Sequence, residues 1–152
     1  MSVIDAVFDY GTSIEFMEGH MLIDENKAVV QNWVAARNGN DLEAALTCWK
    51  YENHEWLRKA FHGFSRAFPD LHVTINEIIG EGDKVVVSWT LTGTHRGVWR
   101  GIPATGHTIE WNATDMYTIS DGKIASLHRA ADNLDWLKQL GAVLMWQDQI
   151  IE

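Results

Sequence analysis

The sequence lacks several features that would assign it to particular classes of protein. Cys48 is the only cysteine among 152 residues, which excludes an internal disulfide and a cysteine-rich zinc site. We interpret it as a small buried residue on a helix rather than as a nucleophile. Only two prolines are present and 22% of the residues are charged, so the composition is globular rather than disordered, and the length suits one domain.

Clusters of basic residues and long apolar runs are also missing. The net charge is −9, and no group of lysines or arginines forms a footprint for nucleic acid or for an anionic membrane. The first twenty residues contain no lysine or arginine, and no apolar run reaches membrane-spanning length. We therefore expect no nucleic-acid partner, no membrane partner and, by default, a cytoplasmic protein.

Common catalytic and metal-binding motifs are absent too. The segment HEWLRKAFH is not the zinc motif HExxH, because Arg58 stands where the second histidine belongs. The glycines at positions 93, 97, 101 and 106 lie in a loop without a following helix pattern, so they do not form a phosphate-binding turn, and GxSxG is missing. The sequence predicts neither a metal site nor a nucleophilic serine.

Tryptophan, by contrast, is abundant, with eight residues in the chain. So much aromatic surface usually lines a core, a ligand cavity or a subunit contact. This is the first indication of function in the sequence.

Helical patterns fill the first half of the chain. A first helix is expected from a cap at Asp24 to a stop at Asn38 and Gly39. A second helix is expected to start from Asn40, which stands in capping-box spacing. A third helix is expected to end at Pro69. The apolar stripes of the first and third helices are formed by Val29, Val30, Trp33 and Val34, and by Leu57, Phe61, Phe64 and Phe68.

From residue 72 onward the apolar period changes to two, which predicts strands. The four predicted strands are HVTINEII, KVVVSWTLTGTH, TIEWNATDMYTIS and KIASLHRA. The segment GEGD and the pair Asp121-Gly122 supply hairpin turns. Helices followed by a meander of strands predict an α+β fold, in which helices pack on one face of a curved antiparallel sheet.

Asp115 is the acid whose position suggests chemistry. In the third strand it shares the more apolar face with aromatic residues, including Trp111 and Tyr117. A desolvated carboxylate has a raised pKa and can act as a general base near neutral pH, for example by taking a proton next to a carbonyl.

The turn at Asp121-Gly122 determines which residue lies across from Asp115. A two-residue turn places it opposite His128, whereas a three-residue loop with a bulge places it opposite Leu127 and diagonal to Arg129. We favour the bulged loop, in which Arg129 would hold Asp115 ionised and lower its pKa. A purely structural ion pair is therefore as good an interpretation as catalysis.

Asp132 is a second candidate acid. It directly precedes NLDWLKQLG, a short helix pattern that Gly141 ends, so it stands where an aspartate would cap the helix. Capping is the favoured interpretation, although a carboxylate at the mouth of a cavity can serve both purposes.

The run EGDKVVVSWTLTGTHRGVWRGIPATGHTIEW, followed by DGKI and WLKQLG, resembles the SnoaL-like polyketide cyclase family of the nuclear transport factor 2-like superfamily. The resemblance extends from ENKAVV through AFPD to Gly141. It implies a cone-shaped α+β fold with a deep apolar pocket between the sheet and the helices. Many relatives are homodimers, so the resemblance also implies a homodimer.

Ring-closing members of that family use an aspartate with nearby histidines and perform enolate chemistry without a metal or an organic cofactor. Aligned from DGKI to QLG without gaps, the aspartate position falls on Arg129, and the histidine positions fall on Asp115 and Leu127. The family's arrangement is not reproduced, so the resemblance implies the fold and the pocket more strongly than the ring-closing reaction.

We divide the chain into an extension (1–23), a SnoaL-like domain (24–141) and a tail (142–152). We expect a cofactor-independent isomerase or lyase that abstracts a proton from a small apolar carbonyl compound during cyclisation, isomerisation or dehydration. The alternative is a ligand-binding or dimerising module of the same fold without turnover. The expected roles are Asp115 as base, Arg129 as its electrostatic partner, Asp132 or His128 as secondary proton carrier, and Trp33, Trp89, Trp111 and Tyr117 as pocket walls.

Overall fold

The structure is a computed structural model, and it describes residues 10–142, 144–146 and 149–151. The helices are α1 (Tyr10–Asn38), α2 (Leu42–Thr47), α3 (His54–Ala67) and α4 (Asn133–Gln139), with a 3-10 turn at Tyr51–Asn53. The strands are β1 (His72–Glu81), β2 (Lys84–Thr94), β3 (Thr108–Ser120), β4 (Lys123–Ala131), β5 (Leu144–Trp146) and β6 (Gln149–Ile151).

Strands β1 to β4 form one antiparallel sheet in the order of the sequence, and β5 and β6 form a separate hairpin. Along β2 and β3 buried residues alternate with partly buried or exposed ones, because successive side chains of a strand point to opposite faces. The inner face packs against the helices, so the predicted α+β architecture is confirmed. Bulges in β1 and β4 interrupt the pairing and add curvature to the sheet.

Helix α1 is fixed to the sheet at several points along its length. The Asn38 side chain donates to the carbonyl of Val73 at 2.9 Å and accepts from its N–H at 2.7 Å, as a further strand would. Asn26 donates to the carbonyl of Gly82 at 3.0 Å. These contacts hold the inner face of α1, with the buried Val30, against the sheet core.

The start of α1 differs from the prediction. Asp24 lies inside a helix of 29 residues that begins at Tyr10, so the expected cap at Asp24 is wrong. Between residues 15 and 22 the chain contains five good helix formers, namely Glu15, Met17, Glu18, Met21 and Leu22, which favour continuation of the helix beyond the apolar stripe. The helix also crosses the expected boundary between residues 23 and 24 without a break. No helix in the described part of the chain has the length and apolarity needed to cross a bilayer.

The caps of two shorter helices can be compared with their predictions. At α2 the cap is Asp41, which accepts from the N–H of Ala44 at 2.9 Å, and not Asn40. Asn40 instead has a φ of 52°, a left-handed conformation that asparagine tolerates just after a helix end. At α4 the prediction is confirmed, because Asp132 accepts from the N–H of Asp135 at 2.9 Å.

Candidate active site in the apolar cavity

A cavity of about 90 Å³ lies between helices α1 and α3 and the inner face of the sheet. It is smaller than the roughly 150 Å³ cavity that admits benzene. As it stands, it therefore has room for one end of a ligand. Among the lining residues, Trp56 is half exposed. The lining is formed by Trp33, Val34, Arg37, Trp56, Leu57, Ala60, Phe61, Phe64, Val73, Trp89, Leu91, Asp115, Tyr117, Leu127 and Arg129.

Asp115 lies at the floor of this cavity with none of its surface exposed. Arg129 forms a bidentate pair with Asp115, in which Nε donates to Oδ1 and Nη2 donates to Oδ2, both at 2.7 Å. The Tyr117 hydroxyl donates to Oδ2 at 2.9 Å. Paired, charge-assisted bonds of this kind are the strong ones in proteins, and they offset the cost of burying the carboxylate.

The register of β3 and β4 differs from both alternatives considered above. Ser120 pairs with Lys123, so Asp121-Gly122 is a two-residue turn, yet Asp115 lies directly opposite Arg129 rather than opposite His128 or Leu127. The cause is a bulge in β4: Thr118 pairs with residue 126 and Ile119 with residue 124, which leaves residue 125 without a partner.

The bulge decides which side chains of β4 enter the cavity. Ile124 is fully buried, and a regular strand would turn every second residue after it inward, including His128. One extra residue exchanges the faces, so Leu127 and Arg129 line the cavity. Ile124 is held in place because its backbone pairs with the segment around Trp49.

The other two predicted catalytic residues are not brought to Asp115. His128 pairs with Met116 on the outer face of the sheet, and both are exposed. The exposed Asp132 uses its carboxylate to cap α4, while its backbone carbonyl accepts from Trp111 Nε1 at 3.2 Å. Neither residue belongs to the cavity lining.

Three of the four predicted wall residues, Trp33, Trp89 and Tyr117, line the cavity. Trp111 lies outside the lining. The Arg129 guanidinium carbon is 4.8 Å from the centre of the Trp89 ring and 5.6 Å from that of Trp111. These cation–π contacts hold the guanidinium in place while it grips Asp115.

The protonation states of the two donors follow from their surroundings. Burial is the largest cause that raises the pKa of Tyr117, and the negative charge of Asp115 raises it further, so the hydroxyl stays protonated and remains a donor. For Arg129, burial alone would lower the pKa, but the hydrogen bond to Asp115 and its charge raise it overall. Asp115 therefore faces a permanent cation and a neutral phenol.

Arg37 is a site residue that the sequence interpretation missed. It projects from α1 into the same cavity, where its guanidinium carbon is 4.7 Å from the centre of the Phe61 ring and 5.0 Å from that of Phe64. Its Nη1 donates weakly to the carbonyl of Phe61 at 3.4 Å. Burial, and then the positive charge of Arg129, lower the pKa of Arg37 to about 10. The available signal was spacing, because Arg37 follows Val30, Trp33 and Val34 on one helical face.

This arrangement combines apolar walls, one buried carboxylate and two guanidinium groups. A model of the SnoaL-like polyketide cyclase family matches residues 27–140. The chain belongs to this family. Comparison with curated proteins finds no match.

Several solved structures share the fold. AclR from Streptomyces galilaeus, a proposed hydroxylase, is 28% identical, with a TM-score of 0.72 over 78% of this chain and 97% of AclR. TsrD from Streptomyces laurentii is 27% identical, with a TM-score of 0.71 over 78% and 96%. IdmH from Streptomyces antibioticus, a proposed polyketide cyclase, is 25% identical, with a TM-score of 0.64 over 77% and 99%. The expected nuclear transport factor 2-like fold is thus confirmed.

Proposed function

We propose that this SnoaL-like protein is a cofactor-independent enzyme that abstracts a proton next to the carbonyl group of a small, largely apolar compound. The observation that carries the proposal is the fully buried carboxylate of Asp115 at the floor of an apolar cavity. A carboxylate in a water-poor site, held in one orientation, is the group that such a proton transfer requires.

The hydrogen bonds of Asp115 leave room for a proton. An ionised carboxylate offers about four acceptor positions. Oδ2 accepts two of the hydrogen bonds described above and Oδ1 accepts one, so Oδ1 retains an acceptor position. Arg129 uses Nε and Nη2 on the carboxylate, which leaves Nη1 for a carbonyl oxygen of the substrate. In this role Arg129 would stabilise the negative charge of the developing enolate.

The carboxyl group itself also limits the chemistry. A carboxylate is in general a weak base. The substrate must therefore supply an acidic C–H, such as one between two carbonyl groups. The C–H bond breaks, its electron pair enters the enolate and Asp115 holds the proton. Return of the proton to another carbon completes an isomerisation. Attack of the enolate carbon on a second carbonyl closes a ring, and Asp115 returns its proton to the new alkoxide. In a dehydration, a hydroxyl group leaves with the returned proton as water.

Solvent exchange tests this proposal without knowledge of the natural substrate. A β-keto ester such as ethyl 2-methylacetoacetate is incubated in D₂O, and loss of its α-proton is followed by NMR. Wild-type protein should accelerate the exchange, and Asp115→Asn should reduce the rate to the uncatalysed background. Asp121→Asn is the matched control, because Asp121 is an exposed aspartate on the same hairpin in a left-handed conformation that asparagine tolerates. Equal acceleration by wild type and Asp115→Asn would refute the proposal.

A ligand-binding module without turnover is the rival, and the same ion pair favours it. The Asp115 carboxylate already accepts two hydrogen bonds from Arg129 and one from the Tyr117 hydroxyl, so these groups are paired without any ligand. This rival predicts that an apolar ligand changes the fluorescence of the tryptophans lining the cavity. It also predicts that the α-proton exchanges no faster than in buffer.

A further inference from the structure

We infer that Arg37 is a binding residue for a carboxylate group, so that the ligand of the cavity is an apolar carboxylic acid bound as its anion. The inference names the substrate class of the proposed function and rests on that function for its place in a reaction. The binding itself can be tested separately.

The Arg37 guanidinium has unmet hydrogen-bonding capacity. Its Nη2 atom is buried, and no hydrogen-bond partner for it occurs among the described residues. Buried polar groups almost always have partners, and an unpartnered donor on a cation is costly. A group that enters the cavity and accepts a hydrogen bond would remove this cost. The planar end of an arginine binds the two oxygens of a carboxylate particularly well.

The charge of the cavity also favours an anionic ligand. Its ionisable lining consists of two arginines, one aspartate and a tyrosine that stays neutral. Arg129 is paired with Asp115. Among the described residues, no acid lies within 4.0 Å of the Arg37 guanidinium. The lining thus has an excess of one positive charge, which one anionic group of a ligand would balance. A buried cation without its counter-charge is the unfavourable half of an ion pair.

The site around Arg37 is also rigid and large enough for a carboxylate. The rings of Phe61 and Phe64 lie against the Arg37 guanidinium and fix its plane, so little freedom is lost when an anion binds. A carboxylate is small enough for a cavity of about 90 Å³. The apolar remainder of the ligand would then lie against Trp33, Trp56 and Trp89 of the lining.

A pair of probes of equal length separates charge from shape. Hexanoate and hexanamide differ in charge but have almost the same size, and the tryptophans of the lining report their binding through fluorescence. Wild-type protein should bind hexanoate more tightly than hexanamide. Arg37→Met should weaken hexanoate about tenfold to hundredfold, the usual range for charge-assisted hydrogen bonds, and leave hexanamide within about twofold. Arg37→Lys keeps the charge but loses the planar pair of donors, so its affinity for hexanoate should lie between those of wild type and Arg37→Met.

Arg58→Met is the control, since Arg58 is a more exposed arginine of α3 that is paired with Glu43 outside the cavity lining. It should bind both probes like wild type. Hexanoate should also shift the NMR signal of Arg37 Nε–H in wild-type protein. The inference is overturned if wild type binds both probes equally or binds neither. It is also overturned if Arg37→Met weakens both probes alike, which is what a merely structural role predicts.

The failure of this inference is distinguishable from failure of the proposed function. If Arg37 fails these tests while Asp115 still catalyses deuterium exchange, the carboxylate inference alone is wrong. If hexanoate binding depends on Arg37 while Asp115→Asn leaves exchange unchanged, the protein binds carboxylates and the catalytic proposal is wrong.

Discussion

Replacing Arg129 by methionine tests whether the ion pair beneath the cavity holds the structure together. Methionine preserves much of the apolar contact with Trp89 and Trp111 but removes both donors that grip Asp115. Asp115 has no exposed surface, so water cannot replace the lost donors without a rearrangement. Removing one partner of a buried pair costs about 3–5 kcal/mol. Since a third of the Arg129 side chain is exposed, we expect the lower end, about 3 kcal/mol.

Urea unfolding at neutral pH measures this free energy directly. For a chain of this size each kcal/mol moves the Tm by about 2–4 °C, so Arg129→Met should also lower the Tm by about 6–12 °C. The double variant Asp115→Asn with Arg129→Met should recover part of the loss, because it removes the uncompensated buried charge. Lys59→Met, which breaks an exposed pair with Glu55, should leave the Tm almost unchanged. A loss below about 1 kcal/mol for Arg129→Met, or no recovery in the double variant, would refute the reasoning.

Four further variants have expected outcomes. Arg37→Met should leave the Tm unchanged or raise it, because burial disfavours the charged guanidinium and so lowers its pKa; differential scanning fluorimetry measures this. Asp132→Ala should cost about 1 kcal/mol in urea unfolding through the lost cap but leave deuterium exchange unchanged. His128→Ala, on the outer face, should also leave exchange unchanged. Gly97→Ala should lower the Tm by several degrees, because the added Cβ collides with the Arg66 carbonyl.

The inner face of β3 was predictable because strict alternation is a strong signal. Asp115 and Tyr117 fall on the same buried face in both the prediction and the structure. Arg129 was also correctly named as a partner, although neither register considered was right. A bulge at residue 125 is hard to foresee, because the small Ala and Ser side chains there tolerate several registers. Which register forms depends on how Ile124 pairs with a distant segment.

Arg37 shows a different limit of sequence interpretation. It lies in the last turn of α1, where a basic side chain is usual and draws no attention as a site residue. Helical spacing nevertheless places it on the apolar face, below Trp33 and Val34. The cation–π contacts come from α3, a helix whose placement no local pattern in α1 reveals. A charged residue at a core-facing position is therefore the signal that identifies such sites.

The deuterium exchange rate of the β-keto ester in wild type and in Asp115→Asn shows whether Asp115 acts as a base. A positioned general base contributes about 10²–10⁴-fold, so we expect a rate difference in that range, and hexanoate should still bind to the variant. Two equal exchange rates, measured on folded and ligand-competent proteins, would contradict this role and leave Asp115 as a structural partner of Arg129.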